Sequence, residues 1–329
     1  MTREALKLTT YFGERDRADG RFLADSLLDL YGRERFLTSV LLRGTEGFGE
    51  KHRLQSQRLL SLSEDLPLLS VAVDARERIE AVLEEVRSLH GGGGLVTLER
   101  ARMLTAPFGD PQPEGQAKLT VYCGRGERFM DVVAALQRHG VSGATVLLGV
   151  DGTAHGERRR ARFAGGNAGV PLMIISVGAG ETISGALPDV ASLLAEPLVT
   201  LERILVLKRD GERLADPGGI PDGALQKLMV YSSEAATVHG RSLYAELVRR
   251  LRAAGARGAT ALRGVWGYHG DHAPHGDRLL TLRRHVPVVT VIVDEPPAIR
   301  RWFEIVDELT EATGLVTGEL VPVGTRWDL

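Results

Sequence analysis

Lys7-Leu8-Thr9-Thr10-Tyr11 decides the fold, because the chain repeats this stretch twice more. It returns as Lys118-Leu119-Thr120-Val121-Tyr122 and as Lys227-Leu228-Met229-Val230-Tyr231. The copies are spaced by about 110 residues, which is the size of a small domain. We therefore predict three tandem units at 1–104, 117–208 and 224–329, joined by linkers at 105–116 and 209–223.

Repeats 1 and 3 align at a single offset of 220 residues without a gap. Gly20-Arg21 matches Gly240-Arg241, and Arg43-Gly44 matches Arg263-Gly264. Repeat 2 is six residues shorter between its first strand and Gly149, the glycine that ends its second strand. Because Gly20-Arg21 has no counterpart in repeat 2, we expect any ligand site there to be degenerate.

The composition limits the classes of function. The 329 residues carry a formal net charge of −2, so the chain lacks the basic surface that holds nucleic acid. Cys123 is the only cysteine, which excludes an intramolecular disulfide and fits a reducing compartment. We find no signal peptide and no run of ~18 apolar residues. A cytoplasmic protein that is not membrane-embedded is predicted.

Each repeat has the pattern of a βαββαβ unit. An amphipathic helical pattern follows the first strand, and a second strand ends at a glycine. A polar loop, a third strand opened by proline, a second amphipathic helix and a strand beginning Leu-Val-Thr complete the unit. This order predicts an α+β fold of ferredoxin-like units.

The third strands are nearly continuous apolar runs at 67–73, 171–177 and 287–293. Such runs are typical of a sheet that is covered on both faces, and the helices of one repeat cover only one face. The simplest cover for the second face is another repeat. We therefore predict an intramolecular pseudo-trimer around a pseudo-threefold axis, which is monomeric in solution. Three independent domains on flexible linkers remain the alternative.

The motifs from Arg43 to Gly49, Leu59 to Pro67, Val73-Asp74 and Gly94 to Thr97 resemble the PII-like family catalogued as domain of unknown function 190. Repeat 3 shows the same resemblance. It implies trimers that bind adenine nucleotides or similar effectors in clefts between subunits. It also implies that the loop between strands two and three contacts partner proteins. This chain departs from the family pattern at Thr38-Ser39-Val40 and at Leu148-Gly149, and it lacks the second phosphate loop of classical PII proteins.

Glycines allow backbone N–H groups to approach an anion, and an adjacent arginine offers a planar charged fork. The first ligand candidates are therefore Arg43, Gly44, Gly47, Gly49, Arg263, Gly264 and Gly267. Gly20, Arg21, Gly240 and Arg241 are predicted to open the first helices, where free N–H groups also favour anions. The alternative is that all these residues only shape surface turns.

Histidines in the loop of repeat 3 are the most metal-like residues in the sequence: His269, His272 and His275. Their spacing matches no defined metal site, so a solvated loop is the simpler interpretation. His52 and His272 occupy matching positions and could instead bind a nucleotide or a partner.

Tyr11, Tyr122 and Tyr231 are predicted to pack in the core, and Cys123 is predicted to be a buried thiol. Glu99, Glu202 and Glu319 recur once per repeat, which indicates fold as readily as function.

The sequence thus predicts a PII-like regulatory protein rather than an enzyme, because no nucleophile, base and orienting group occur together. A small effector, such as ATP, ADP or AMP, is expected to bind between repeats and to reorder the loops at 44–66 and 264–286. The partner would be a regulated protein such as a transporter or channel. Two alternatives remain: a scaffold whose clefts bind no ligand, and a CutA-like protein that binds divalent metal.

Overall fold

The computed structural model describes residues 2–49, 55–56, 65–91, 93–105, 113, 115–162, 166–219, 223–269, 275–276, 286–310 and 314–322. These residues form a mixed α+β structure with six helices. Within this part of the chain, no helix is both long enough and apolar enough to cross a membrane.

The elements follow the three repeats. Repeat 1 contains β1 (Thr2–Gly13), β2 (Arg17–Ala18), β3 (Arg21–Phe22), α1 (Leu23–Arg33), β4 (Thr38–Arg43), β5 (Glu46–Phe48), β6 (Gln55–Ser56), β7 (Pro67–Ala75), α2 (Arg76–His90) and β8 (Leu95–Thr105). Repeat 2 contains β9 (Gln116–Gly124), α3 (Phe129–Arg138), β10 (Gly143–Leu148), β11 (Asp151–Ala154), β12 (Glu157–Arg158), β13 (Pro171–Ala179), α4 (Gly180–Leu193), β14 (Leu198–Arg203), β15 (Leu205–Arg209) and β16 (Glu212–Arg213). Repeat 3 contains β17 (Leu225–Ser233), β18 (Thr237–Val238), β19 (Arg241–Ser242), α5 (Leu243–Ala253), β20 (Ala259–Arg263), β21 (Trp266–His269), β22 (His275–Gly276), β23 (Pro287–Asp294), α6 (Pro296–Leu309) and β24 (Leu315–Val321).

Local sequence explains where several elements begin and end. Each third strand opens with proline, which is tolerated at the first residue of a strand because it has no N–H to donate to the ladder. Helix α6 also begins with proline, at a position where the missing N–H would have no helical partner. Helix α2 ends at His90 and is followed by Gly91, whose φ of 55° places it in the left-handed region that favours glycine.

The four main strands have the same order in each repeat. From one edge to the other, the order is last, first, third and second: β8-β1-β7-β4, β14-β9-β13-β10 and β24-β17-β23-β20. All neighbouring pairs within these sets are antiparallel.

The sheets of the repeats are joined through their last strands. Strand β8 pairs with β14, which places repeats 1 and 2 in one twelve-stranded sheet. Strand β15, which follows β14, pairs with β24 of repeat 3. Strands β15 and β16 form a hairpin, so β16 adds structure within the segment predicted as a linker from 209 to 223.

The core has four main apolar clusters. One lies on the helical side of each repeat and includes Leu27, Leu136 or Phe303. The fourth draws residues from all three repeats, including Val71 and Val291. The third strands are buried over nearly their whole lengths, so their predicted two-sided burial is confirmed. Each sheet therefore packs its second face against residues of the other repeats.

Candidate functional site

The chain that follows the second strand of each repeat crosses to a different repeat. Strand β5 of repeat 1 pairs with β20 of repeat 3, β11 of repeat 2 pairs with β4 of repeat 1, and β21 of repeat 3 pairs with β10 of repeat 2. Every repeat thus gives one strand and receives one. The crossing begins with backbone hydrogen bonds from Thr45 N to Ala261 O at 2.8 Å, Val150 N to Leu41 O at 2.8 Å and Val265 N to Val146 O at 2.9 Å.

Glycines at these crossings allow two backbones to approach closely. A Cβ atom on Gly47 would lie 2.6 Å from the carbonyl oxygen of Ala259, and one on Gly267 would lie 2.1 Å from that of Ala144. Gly44 and Gly264 are similarly close to the proline that opens the third strand of their own repeat, whereas nothing lies within 4 Å of a Cβ on Gly49. Packing thus accounts for four of the five predicted ligand glycines at these crossings. Contact with a ligand remains a prediction.

Arg43 and Arg263 stand immediately before two of the crossings, and each is held by a glutamate. Arg43 Nη2 donates to Glu14 Oε2 at 2.8 Å, and Arg263 donates to both carboxylate oxygens of Glu234 at 3.0 Å. In repeat 2, Leu148 takes the place of the arginine and Arg125 takes the place of the glutamate. The Arg125 guanidinium bonds to the carbonyl oxygen of Gly149. The crossing in repeat 2 therefore lacks the matching arginine, as the sequence indicates.

The predicted position of Gly20-Arg21 and Gly240-Arg241 at the helix starts is wrong. Both pairs lie in short hairpins, β2–β3 and β18–β19, and the helices begin only at Leu23 and Leu243. Asp19 and Gly20 have φ values of 49° and 78°, and His239 and Gly240 have 49° and 76°. Two successive positive φ values are typical of a type I′ hairpin turn. Arg21 pairs with Asp29 on the surface, so these residues do not present helical N–H groups to an anion.

The histidine predictions fall largely outside the described residues. His52 and His272 are not described, and only the backbone of His275 is described, in β22. His269 Nε2 lies 2.9 Å from Asp210 Oδ1, on an exposed surface. The contact joins repeat 3 to the chain between repeats 2 and 3. It offers one imidazole and one carboxylate, which is fewer ligands than a structural zinc site needs.

The first and last strands of the three repeats meet in a closed ring of six buried charges. Lys7, Lys118 and Lys227 alternate in this ring with Glu99, Glu202 and Glu319. All six side chains are almost fully buried. Within each repeat, the lysine lies directly across the strand pair from the glutamate. We call this set the lysine–glutamate ring.

Each lysine of the ring also contacts the glutamate of a second repeat. The within-repeat contacts are Lys7–Glu99 at 2.8 Å, Lys118–Glu202 at 3.0 Å and Lys227–Glu319 at 2.7 Å. The contacts between repeats are Lys7–Glu202, Lys118–Glu319 at 2.5 Å and Lys227–Glu99 at 2.5 Å. Buried charges are tolerated only when they are paired, so the ring requires all three repeats to be present.

The ring has the oxygen atoms of a metal site but not its charge. One carboxylate oxygen from each glutamate lies within 4.8 Å of the others, and this is the only such cluster in the described part of the chain. The three ammonium groups already neutralise the three carboxylates. Since a divalent cation would have to displace buried ammonium groups, the arrangement favours a structural ring over a metal centre.

Acid should destabilise the protein through this ring. Burial would raise the pKa of Glu319, but Lys118 and Lys227 outweigh burial and lower it to about 2. Lys227 and Lys7 likewise hold the pKa of Glu99 well below its ordinary value, against the effect of burial. Because these pKa values are depressed in the folded state, the stabilisation is present above the ordinary value of 4.5 and is lost as the pH falls toward about 2.

We therefore expect the free energy of unfolding to fall steadily between about pH 5 and pH 2, as measured by urea unfolding followed by circular dichroism. A Lys118→Met, Glu319→Leu double variant removes one charge pair and should show a weaker pH dependence. An equal dependence in the two proteins would assign the acid sensitivity to other carboxylates.

The sequence carries a signal for this ring, although the predicted ligand sites do not include it. A lysine recurs at one position of the first strand, and a glutamate recurs at one position of the last strand. A charge that recurs in a strand buried on both faces predicts a charged partner. Other sequence predictions are confirmed: Cys123 is a buried free thiol, and Tyr122 is buried in the shared apolar cluster.

Comparison with known proteins agrees with this architecture. The sequence profile of the family described as "Uncharacterized ACR", domain of unknown function 190, matches three times in tandem, at 5–103, 116–206 and 225–323. The chain belongs to this family. A curated relative is a UPF0166 protein of Aquifex aeolicus, which is 33% identical over 96 residues. That match covers 90% of the relative and 29% of this chain, so the relative corresponds in length to one repeat.

Proposed function

We propose that the chain is a PII-like regulatory protein that binds a small anionic effector between its repeats. In this proposal, the three repeats are ferredoxin-like units of an intramolecular pseudo-trimer. An adenine nucleotide is the preferred effector, and the segments that follow the second strands carry the signal to a partner protein such as a transporter or channel. The proposal assigns no catalytic step to the chain.

The observation that carries the proposal is the exchange of strands between repeats. Because β5, β11 and β21 each pair with a different repeat, the start of every strand 2–3 segment is part of a junction. A ligand bound at a junction would contact the two repeats and the start of the segment together. It could favour one conformation of the segment only by binding that conformation more tightly.

The positions of Arg43 and Arg263 support effector sites that differ in affinity between the repeats. Arg43 and Arg263 precede two of the crossings, and their side chains are 47% and 21% exposed. Their glutamate partners hold them in place, and an anionic ligand could compete with those glutamates for the guanidinium groups. Repeat 2 has Leu148 at this position, so we expect two sites of similar affinity and a third that is weak or absent.

A scaffold that binds no effector is the second candidate. It is favoured by the close backbone contacts at Gly44, Gly47, Gly264 and Gly267, which explain these glycines without a ligand. It is also favoured by the existing ion pairs of Arg43 and Arg263. In a scaffold, the strand 2–3 segments would bind the partner constitutively.

A thermal-shift panel of ATP, ADP and AMP separates the two candidates. We expect at least one nucleotide to raise the melting temperature, because a ligand that binds only the folded state stabilises it. The Arg43→Ala, Arg263→Ala double variant should weaken binding by about 10-fold to 100-fold at each affected site, because it removes charged donors.

The matched control is the Arg33→Ala, Arg250→Ala double variant. These arginines also form surface ion pairs, with Glu85 and Glu308, in the same two repeats. The control should keep the nucleotide response of the unmodified chain. A response that is absent in the unmodified chain, or unchanged in the Arg43→Ala, Arg263→Ala variant, would favour the scaffold.

A further inference from the structure

A basic cleft lies at the opposite end of the sheets from the strand crossings. In repeat 1, Gly13, Arg43 and Pro67 share one end of the sheet, since Gly13 pairs with Pro67 and Arg43 with Leu68. The other end carries the start of β1, the end of β7 and the end of β8, where Ala5 pairs with Ala75 and Ala101. The cleft opens at this second end, between repeats 1 and 2, with a volume of about 350 Å³.

Four arginines line the cleft: Arg76, Arg100, Arg102 and Arg203. Two carboxylates accompany them. Glu202 belongs to the lysine–glutamate ring and is already paired with Lys7 and Lys118, and Glu4 lies opposite Arg102 in the β1–β8 ladder. Arg76 bonds to Glu80 on its own helix. The lining therefore carries more positive charge than negative charge, in a chain whose net charge is −2.

The strand geometry brings Arg100 and Arg203 to the mouth of this cleft. The ladder between β8 and β14 ends at the Arg102–Leu201 pair, and each arginine lies two residues beyond that pair along its own strand. Their cross-strand neighbours in the ladders are the apolar residues Leu6 and Ala117, and Arg203 has a further interaction elsewhere in the folded chain. Within the described part of the chain, Arg100 forms no ion pair.

Repeat 2 keeps only one of these arginines, Arg203, and repeat 3 keeps none. Arg100 corresponds to Arg203 in repeat 2 and to Leu320 in repeat 3, and Arg76 corresponds to Gly180 and Pro296. The cleft is thus a feature of the junction between repeats 1 and 2 and not a consequence of the repeat pattern. Fold alone would not require four arginines at one junction.

We propose that this cleft is a second anion site, separate from the effector sites at the strand crossings, and that it binds a small phosphorylated metabolite. Guanidinium groups match phosphate oxygens in charge and geometry. Ala5, Leu6, Ala101 and Leu201 supply an apolar floor for the organic part of the ligand. The volume falls within the range of small-molecule sites, which is about 300–1,000 Å³.

Calorimetric titration with pyrophosphate and with ADP tests the proposal on the full chain. Pyrophosphate reports the phosphate contacts alone, and ADP adds the organic part. We expect saturable binding of pyrophosphate, and a loss of affinity of about 10-fold or more in the Arg100→Ala, Arg203→Ala variant. In the Arg43→Ala, Arg263→Ala variant, the pyrophosphate site that depends on Arg100 and Arg203 should persist, which separates this site from the proposed effector sites.

The control is the Arg33→Ala, Arg128→Ala variant, which removes the same charge from surface ion pairs with Glu85 and Asp131. Unchanged pyrophosphate affinity in this control supports a specific cleft. The proposal is overturned by an equal loss in the control, by no saturable binding at millimolar pyrophosphate, or by a loss confined to the Arg43→Ala, Arg263→Ala variant. Circular dichroism melting of each variant confirms that it is folded before titration.

Discussion

Replacing Lys118 with Met will lower the free energy of unfolding by about 3–5 kcal/mol, because the change leaves an uncompensated buried negative charge. Lys118 is 2% exposed and contacts both Glu202 and Glu319. The side chains of both glutamates are also buried. Urea unfolding at neutral pH, followed by circular dichroism, measures the change.

The Lys118→Met, Glu319→Leu double variant should recover part of this loss. It restores neutrality, with two lysines and two glutamates left in the ring, and apolar replacement of a buried ion pair is often close to neutral. Arg33→Ala is the control, since it breaks an ion pair of 2.6 Å to Glu85 whose side chains are exposed. It should change the free energy of unfolding little, because an ion pair between exposed side chains contributes little to stability. A Lys118→Met variant as stable as Arg33→Ala would contradict the structural role of the ring.

Gly152→Ala is expected to give the second-largest loss of stability, about 2–3 kcal/mol. A Cβ at this position would lie 2.0 Å from the carbonyl oxygen of Ser39 in repeat 1 and 2.6 Å from Pro171. The neighbouring atom is backbone in the β4–β11 ladder, so it cannot move aside without breaking the pairing between the repeats.

Gly49→Ala provides the matched glycine control. It follows the corresponding crossing of repeat 1, but nothing lies within 4 Å of its Cβ. We expect it to change the free energy of unfolding by less than about 0.5 kcal/mol. Equal thermal or urea stability of the Gly152→Ala and Gly49→Ala variants would show that the close approach at Gly152 does not stabilise the junction.

Local patterns in the sequence predicted the three-repeat organisation, the order of the elements and the two-sided burial of the third strands. The repeat organisation follows from comparing the three copies, and the other two properties follow from the residue pattern within each repeat. The burial of Cys123 was predicted for a similar reason, because the residue lies in an apolar strand without a nearby histidine.

The recurring charges indicate charged partners, but the closed geometry of the lysine–glutamate ring cannot be deduced from one repeat. It needs six residues from six strands of three repeats, and every contact between repeats joins positions more than 120 residues apart. The strand crossings were missed because segments such as Glu46–Phe48 resemble a polar, glycine-containing loop when their pairing partner is unknown. Hydrogen bonding to another repeat, rather than local propensity, makes them strands.

The hairpins before α1 and α5 show a different limit. Strands of two residues are too short to display an alternating pattern, so Gly20-Arg21 was assigned to a helix start. The positive φ values of Asp19 and Gly20 reveal the turn, and the Asp-Gly pair is its sequence signal. The amphipathic helix begins only after this turn, at Leu23.

The predicted reordering of the loops at 44–66 and 264–286 depends on segments that are only partly described. Residues 50–54 and 57–64 of the first loop, and 270–274 and 277–285 of the second, lie outside the described residues. The described parts, including Glu46–Phe48 and Trp266–His269, pair with other repeats. An effector would therefore have to act on these paired strands or on the chain that follows them.

Hydrogen exchange at residues 44–49 and 264–269, with and without saturating nucleotide, tests the central claim most directly. If an effector binds at the junctions and controls the strand 2–3 segments, the backbone N–H groups of these residues should exchange more slowly when the nucleotide is bound. Thr45 N and Val265 N, which form the first bonds of two crossings, are the most informative positions. Identical exchange in both states, with nucleotide binding confirmed by calorimetry, would contradict effector control and leave the scaffold.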